Sequence, residues 1–517
     1  MTFLYNQQAT DTQRLHNDEM PEGWAECQLS DVIYVQNGYA FPSEDYRDTG
    51  VPLIRQTNLA GDKLLLEKCV FLDPSYLQSK KDFVLRKGDI LVGMSGSLGK
   101  ICIYDLDYPA LQNQRTGRIV PYSEDALIRE YFYYFLQTVK NELQAKGKGL
   151  GVSNISASDI ETLSFRLAPI TEQERIVAKV KELLARVNTA KGRLAKVLVI
   201  LKRFRQAVLA AACSGRLTAD WRATKVDIEP ADQLVERIFS KRQQEYTADC
   251  KTAKAEGKKP PKKPNNLEPR RVETPGLPEI PDEWTWIHLP ELGYMSRGKS
   301  KHRPRNAPYL FGGPYPFIQT GDIAQSGGRI TSHRQTYSEA GLAQSHLWSS
   351  GTVCITIAAN IANSAILTYP ACFPDSIVGL TPDEALSIKE YVEFFIRTAR
   401  SNLDQFAPAT AQKNINIEIL SDVAVPLPPL AEQKEIVRRV QAMFKLAEAV
   451  EKRVAVATRR AEKLTQAILA KAFRGELVPT EAELARREAR SYETASELLS
   501  QIKSHRESEK KKHSKKK

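Results

Sequence analysis

The chain repeats itself. MPEGWAECQLSDV at 20–32 matches IPDEWTWIHLPEL at 280–292, so Pro21, Trp24 and Leu29 fall on Pro281, Trp284 and Leu289 at an offset of 260. The same offset relates 128–138 to 388–398, 154–180 to 414–440, and 206–217 to 466–477. Two copies of one architecture explain this, and few other folds do. Each half reads as a globular part, a long helix and a charged tail. Residues 231–245 also match 495–509, with a slip of four. Between Trp24 and Ile128 the offset wanders from 260 to 264 and back, so the globular part of each half is its variable part.

The globular parts read as α+β. ILVGMSGSLGKICIYD (90–105) is strand, Gly-rich turn, strand, and VCITIAANIANSAILTY (353–369) is its counterpart. One helix is expected in each, at 128–140 and 388–400. The long helices carry another period. Ile176, Val180, Leu183, Val187, Ala190, Leu194, Val197, Leu201, Phe204 and Val208 are spaced 4,3,4,3. Ile436, Val440, Met443, Ala447, Val450, Val454, Ala457, Ala461, Leu464 and Ile468 repeat that spacing. Heptads of this length predict a coiled-coil seam. Each helix starts after proline (Pro169; Pro428 and Pro429), with Thr171 and Glu174 as a capping box in the first, and ends at Gly215 or Gly475. About 43 residues give rods of roughly 65 Å. The second helix buries its seam by lying back along the first. The expected fold is therefore two tandem-repeated globular α/β domains separated by two long helices in an intramolecular antiparallel coiled coil. The alternative is that each helix pairs with another chain.

Composition excludes several classes. At 517 residues, with 42% hydrophobic and 26% charged residues, the chain is neither disordered nor fibrous. No stretch reads as a membrane span, and the N-terminus lacks the pattern of a secretion signal. Seven scattered cysteines without a CxxC pair point to a reduced cytoplasm. The histidines show no zinc spacing, so no metal is expected. The net charge of +12 sits entirely in 251–271 and 501–517, each with eight Lys/Arg against two Glu. The other 479 residues sum to zero. Gly293–Ser300 satisfies GxxxxGK[ST], but Pro304 and Pro308 follow where a phosphate loop needs a helix, and Gly298 falls on Gly38 without a Lys-Ser pair. Gly93, Gly96 and Gly99 are not a dinucleotide fingerprint. Glu432-Gln433-Lys434 has the ExK form of some nucleases but lies at a helix start without a preceding PD strand, and reads as surface charge. No methyltransferase tetrapeptide (Asn/Asp-Pro-Pro-aromatic) and no Ser/His/Asp set occurs. The sequence reads as a binding protein with no catalytic site.

The duplicated order of Trp24/Leu29 and Trp284/Leu289, of 52–59 and 316–323, of PITEQERIV (169–177) and PLAEQKEIV (429–437), and of the helix ends resembles the specificity subunit of type I restriction–modification systems. The resemblance covers roughly 20–245 and 280–509. It implies a non-catalytic DNA-recognition subunit. Each globular part would be a target-recognition domain reading half of a bipartite asymmetric site in double-stranded DNA. The coiled coil would set the spacing and dock two methyltransferase (modification) subunits, with two restriction/translocase subunits added. S-adenosylmethionine, ATP and Mg would belong to those partners, none to this chain. The implied layout is an N-terminal extension (1–19), recognition domain 1 (20–168), spacer helix 1 (169–225), a helix and basic linker (226–275), recognition domain 2 (276–428), spacer helix 2 (429–480) and a charged helix with a Lys-rich tail (481–517).

Loop residues suited to base edges and phosphates are the candidate DNA contacts. In domain 1 they are Arg55, Gln56, Asn58, Ser97, Lys100, Asn113, Gln114, Arg115, Lys146 and Lys148. In domain 2 they are Lys299, Arg303, Arg305, Gln319, Thr320, Asn360, Asn363, Gln412 and Lys413. Two other classes are weighed against this reading: a coiled-coil scaffold that binds only protein, and a P-loop NTPase.

Overall fold

A computed structural model describes residues 19–514, except 62, 68, 96–98, 147–153, 226, 262, 265–266, 274–275, 302–303, 305, 358–362 and 400–416. Six helices longer than ten residues occur among the described residues. They are α1 (Arg129–Lys146), α2 (Ile170–Cys213), α3 (Ala231–Ala255), α4 (Lys389–Ala399), α5 (Leu430–Phe473) and α6 (Ala495–Ser514). None is long and apolar enough to cross a membrane. The chain divides into two compact units. The first runs to Ala195 and resumes at Ala455; the second is Lys196–Val454. Each unit thus holds one globular domain, half of α2 and half of α5.

In the first unit a four-stranded antiparallel sheet runs Ile33–Asn37, Thr116–Pro121, Ile90–Gly93, Ile101–Ile103. A second sheet runs Val70–Leu72, Val51–Ile54, Ala110–Gln112, Val84–Leu85, with one parallel pair. Short strands with buried apolar faces, bounded by Gly, Pro and Asn turns, suit such sheets. α1 covers the first sheet, burying Tyr131, Phe132, Phe135 and Leu136. In the second unit Gly293–Arg297, Ile377–Pro382, Val353–Thr356, Ser364–Leu367 and Arg329–Ile330 form one sheet under α4. Each domain closes on itself by pairing its first strand with its last. Ala25 faces Leu167, and Thr285 faces Leu427, the same pair moved by 260.

The long helices pair antiparallel in both units. In the first, Ile176, Val180 and Val187 share a core with Ile468, Leu469, Ala472 and Phe473, and Lys191 Nζ donates to Thr465 Oγ1 at 3.3 Å. In the second, Val208, Leu209 and Ala212 share a core with Ile436 and Val440, and Arg205 binds Glu451 through both guanidinium nitrogens. Leu201 and Val454 are buried; Leu183, Leu194, Val197, Phe204, Met443 and Val450 are half-buried. Leu464 departs from the expected seam, with half its surface exposed. The last turns of α5 lie against domain 1, where Phe473 meets Tyr131 and Phe135, and not against one helix alone. That contact takes a wider stripe: Ala461, Thr465, Ile468, Leu469, Ala472 and Phe473. The expected capping box does not form, because α2 starts at Ile170 and Thr171 lies inside its first turn. Both helices stop at a left-handed glycine, Gly215 (φ 74°) and Gly475 (φ 76°).

The two charged tails also fold. α3 buries Ala231, Leu234, Val235, Ile238 and Phe239 in domain 2, and α6 buries Ala495, Leu498 and Ile502 in domain 1. Their attachments match: Ala231 N donates to Glu283 O at 2.9 Å and Ala495 N to Gly23 O at 2.8 Å. Domain 1 is therefore completed by the chain's last helix. Burying each of the large apolar side chains contributes on the order of 1.5–3 kcal/mol to holding these helices on their domains.

Candidate nucleic-acid interface

In domain 1, strand ends and turns converge on one rim. The strand Val51–Ile54 ends in a tight turn at Arg55–Asn58. Asn58 Oδ1 accepts from Arg55 N at 3.0 Å, and its Nδ2 donates to Leu65 O at 2.9 Å. Asn58 is buried and uses its amide to hold the turn, where an exposed loop side chain was expected. The turn presents Arg55, whose guanidinium lies 5.8 Å from the Tyr46 ring, and Gln56, whose Oε1 accepts from Ser95 Oγ at 2.8 Å. Ser95 bridges Asn154, beside Ile155 N, which donates to Met94 O at 2.8 Å. The turn at 113–115 joins the same mesh. Asn113 N donates to Ile54 O (3.1 Å), Gln114 N to Tyr39 O (2.9 Å) and Met94 N to Arg115 O (3.2 Å).

This mesh explains a glycine. A Cβ on Gly38 would stand 2.2 Å from Asn113 O, so only glycine lets the two backbones meet. Asn113 is buried by that contact, again contrary to expectation, while Gln114 and Arg115 are exposed. Lys100 is half-buried at the start of Ile101–Ile103, its carbonyl accepting from Gly93 N at 2.9 Å. Lys146 ends α1. Ser97 and Lys148 lie outside the described residues. The rim thus gathers Arg55, Gln56, Gln114 and Arg115. It adds three residues that sequence reasoning passed over: Ser95, Asn154 and Tyr39, whose ring lies 4.0 Å from Lys80 Nζ. Their scatter over 115 positions of chain left no local motif to read.

Domain 2 builds the same rim from other side chains. Gly298 is tight against Phe373 O and Pro374 O, with a Cβ separation of 2.4 Å, and Phe373 stands 260 after Asn113. Gln319 N donates to Asp322 Oδ2 at 2.9 Å, the turn that Asn58 holds in domain 1. Gln319 is exposed and its Nε2 donates to Gln335 Oε1 at 2.6 Å; Thr320 is half-buried next to it. Ile318 N donates to Cys372 O, and Arg297 donates to Asp375 O at 2.8 and 3.0 Å. Lys299 is exposed, its carbonyl held by Ser345 Oγ at 2.9 Å. Asn363 opens the strand Ser364–Leu367, its N–H donating to Thr356 Oγ1 at 3.1 Å. Arg303, Arg305, Asn360, Gln412 and Lys413 lie outside the described residues. The GxxxxGK[ST] pattern is not a phosphate loop, since Gly293–Arg297 is an extended strand paired with Ile377–Pro382. Among the described residues no group of His, Cys, Asp and Glu is placed to hold a metal.

Each domain is fastened to a spacer helix by a buried clasp at its first residues. Trp24 Nε1 donates to Glu172 Oε1 at 3.0 Å, and Trp284 Nε1 to Glu432 Oε2 at 2.9 Å. The neighbouring glutamines serve the backbone. Gln173 accepts from Ile128 N (3.0 Å) and donates to Ala168 O (2.9 Å); Gln433 accepts from Ile388 N (2.9 Å) and donates to Pro428 O (3.0 Å). Each glutamate also receives the end of the other helix's segment. Glu481 N donates to Glu172 Oε2 at 2.8 Å; Thr218 Oγ1 donates to Glu432 Oε1 at 2.6 Å, with Arg222 beside it. Glu432 is therefore fully buried and not the surface charge expected from its place at a helix start. Burial pushes the Glu172 carboxyl up, against the opposing pull of its hydrogen bonds and Arg175.

Comparison with known proteins fits this geometry. Residues 21–198 and 281–456 match the family described as type I restriction modification DNA specificity domain. The Escherichia coli type I restriction enzyme EcoBI specificity subunit is 28% identical over 475 residues, 88% of this chain and 86% of that protein. The EcoDI specificity subunit of Escherichia coli is 30% identical over 373 residues, 70% and 73% of the two chains. A chain from a structure of a type I R-M system, solved to study complex assembly and conformational transition, superposes with a TM-score of 0.56 at 20% identity. It covers 89% of this chain and 100% of its own length, and shares the fold. With two matched regions spanning both domains and most of the two spacer helices, the chain belongs to the type I restriction modification DNA specificity family.

Proposed function

We propose that each globular domain reads one half of a bipartite site in double-stranded DNA, and that the paired helices fix the spacing between the halves. One observation carries this reading: the same rim is built twice with different chemistry. Arg55, Gln56, Gln114 and Arg115 in domain 1 correspond to Gln319, Thr320, Pro374 and Asp375 in domain 2. Arg and Gln forks suit purine edges, and a second set with different donors and acceptors reads different bases, so the halves of the site differ. A dimer of identical readers would give a palindrome; a fused pair of unlike readers gives an asymmetric site.

The chain supplies recognition and no catalysis. Two methyltransferase subunits dock on the spacer helices and carry S-adenosylmethionine, and two translocase subunits bring ATP and Mg. We place the assembly in the cytoplasm, where the seven free cysteines stay reduced. Mapping methylated adenines in DNA exposed to the complex tests the reading. The expected result is one asymmetric motif in two parts with a constant gap. A contiguous motif, or a palindrome, would overturn it.

A further inference from the structure

Groups that hold phosphates position a duplex, and groups that reach base edges read it. Each rim also carries one ammonium group, brought to the same place in two different ways. Tyr39 and Lys299 stand 260 apart, two residues past the ends of the equivalent strands Ile33–Asn37 and Gly293–Arg297. Each directly follows the glycine pressed against the neighbouring turn, Gly38 on Asn113 O and Gly298 on Phe373 O. In domain 2 the ammonium is that of Lys299 itself, exposed and without an ion pair among the described residues. Burial first, and then the Lys299 charge, hold the neighbouring His346 imidazole below its ordinary value. The His346 ring meets Trp348 edge-on at 4.9 Å, and Trp348 stacks on Phe373 at 5.0 Å, so these rings join Lys299 to the rim turn. Asp375 is the acid of that turn, and its carbonyl accepts from the Arg297 guanidinium at 2.8 and 3.0 Å.

In domain 1 the equivalent position is a ring, and the ammonium comes from elsewhere in the chain. Tyr39 is tied into the rim at both backbone ends: its N–H donates to Gln112 O (3.0 Å) and its carbonyl accepts from Gln114 N (2.9 Å). Its ring is wedged between Phe41 (5.0 Å) and Phe83 (5.4 Å). Lys80 Nζ sits over that ring, 4.0 Å from its centre, a cation–π contact. The Lys80 backbone is fixed as well, its N–H donating to Tyr76 O (2.9 Å) and its carbonyl accepting from Phe83 N (3.0 Å). The nearby acids leave this charge uncompensated. Asp73 pairs with Arg47 (2.6 Å) and Asp45 accepts from Tyr76 Oη (2.6 Å). Glu44 and Asp82 are exposed, with exposed Lys81 beside Asp82, and neither forms an ion pair with Lys80 among the described residues.

We propose that Lys299 in domain 2 and Lys80 in domain 1, seated on Tyr39, each bind one backbone phosphate of the duplex at the same place of their half-site. They thereby set the register in which each rim meets its bases. The proposal rests on the DNA-reading function above and deepens it. Counterions released by a neutralised phosphate make such a contact visible as salt dependence.

The test uses the full complex with its methyltransferase subunits. Lys80→Gln and Lys299→Gln complexes are titrated over a salt series on cognate and scrambled duplexes. Each variant should lower the log–log salt slope by roughly 1 and lose about fivefold to tenfold in affinity near 0.1 M salt, on both duplexes alike. The double variant should lower the slope by roughly 2, and Lys80→Arg and Lys299→Arg should keep it. A single neutral methylphosphonate, walked through each half of the cognate duplex, locates the contact. One position in the domain 1 half should weaken the unaltered complex and leave Lys80→Gln unaffected, and one in the domain 2 half should do the same for Lys299→Gln. An unchanged slope in either glutamine variant overturns the proposal. A loss confined to the cognate duplex also overturns it, because the lysine then reads a base. So does failure of the variants to assemble with the methyltransferase subunits, which would assign the lysines to a protein surface. If the unaltered complex does not distinguish cognate from scrambled DNA, the half-site reading fails and the proposal with it.

Discussion

Removing the Glu432 carboxylate should undo the attachment of domain 2 to its spacer helix. The carboxylate has no solvent exposure and serves three donors: Trp284 Nε1 at 2.9 Å, Thr218 Oγ1 at 2.6 Å and the Arg222 guanidinium, itself 16% exposed. Glu432→Ala leaves a buried indole N–H, a hydroxyl and a cation without their acceptor. Breaking one partner of a buried ion pair costs about 3–5 kcal/mol, so we expect a loss in that range. Glu432→Gln keeps the volume and an acceptor for Trp284 but gives up the charge facing Arg222. Hydrogen bonds to charged groups are worth about 1.5–3 kcal/mol, so its loss should be about half as large. Denaturant unfolding gives the totals, and hydrogen exchange over 284–289 and 215–222 localises them. Since the clasp fixes how domain 2 meets its helix, Glu432→Ala complexes should also methylate sites with gaps one base pair longer or shorter. Stability of the alanine variant within about 0.5 kcal/mol of wild type, with unaltered exchange around Trp284, would refute the argument.

Leu464→Lys should change stability by less than about 0.5 kcal/mol because the side chain is exposed, whereas Ile468→Ala, four residues on and buried, should cost about 2–5 kcal/mol in the same unfolding assay. Burial pushes the Glu393 carboxyl up to about 7, although Arg397 and Ser364 both bond it. The folded state thus takes up a proton that the unfolded state releases near 4.5. Domain 2 should therefore lose stability as pH rises from about 4.5 to 7, and a Glu393→Gln variant should show a flatter profile across that window. Replacing Gln114 and Arg115 by alanine should cost about 1–3 kcal/mol per lost base contact on the domain 1 half-site alone, read by titration against single-base variants of each half.

Much of this architecture is legible in the chain. The offset of 260 gives two copies, the 4,3 spacing gives the paired helices, and Pro169, Pro428, Gly215 and Gly475 mark their ends. What escaped has physical reasons. α3 and α6 are mostly charged, so the few apolar residues that dock them, such as Ile238 and Ile502, are diluted below any visible stripe. Glu172 and Glu432 lie on first turns, where an acid is ordinary; only the tertiary approach of Trp24 and Trp284 makes them buried acceptors. Asn58 and Asn113 have the composition of DNA-reading loops, but turns use the same residue to satisfy their own backbone. Leu464 kept the heptad phase on paper, while the helix had already turned its wider face to domain 1. Arg55, Gln56, Gln114 and Arg115 were legible as loop candidates, but their meeting on one rim was not, because hydrogen bonds between distant turns, Gln56 with Ser95 and Gln114 with Tyr39, bring them together.

The most direct test of two independent readers is an exchange. Residues 20–168 are replaced by the equivalent domain of another specificity subunit, and methylated adenines are mapped in DNA modified by the resulting complex. The account predicts a new motif in one half, with the other half and the gap length retained. A change in both halves, or in the gap, would contradict it.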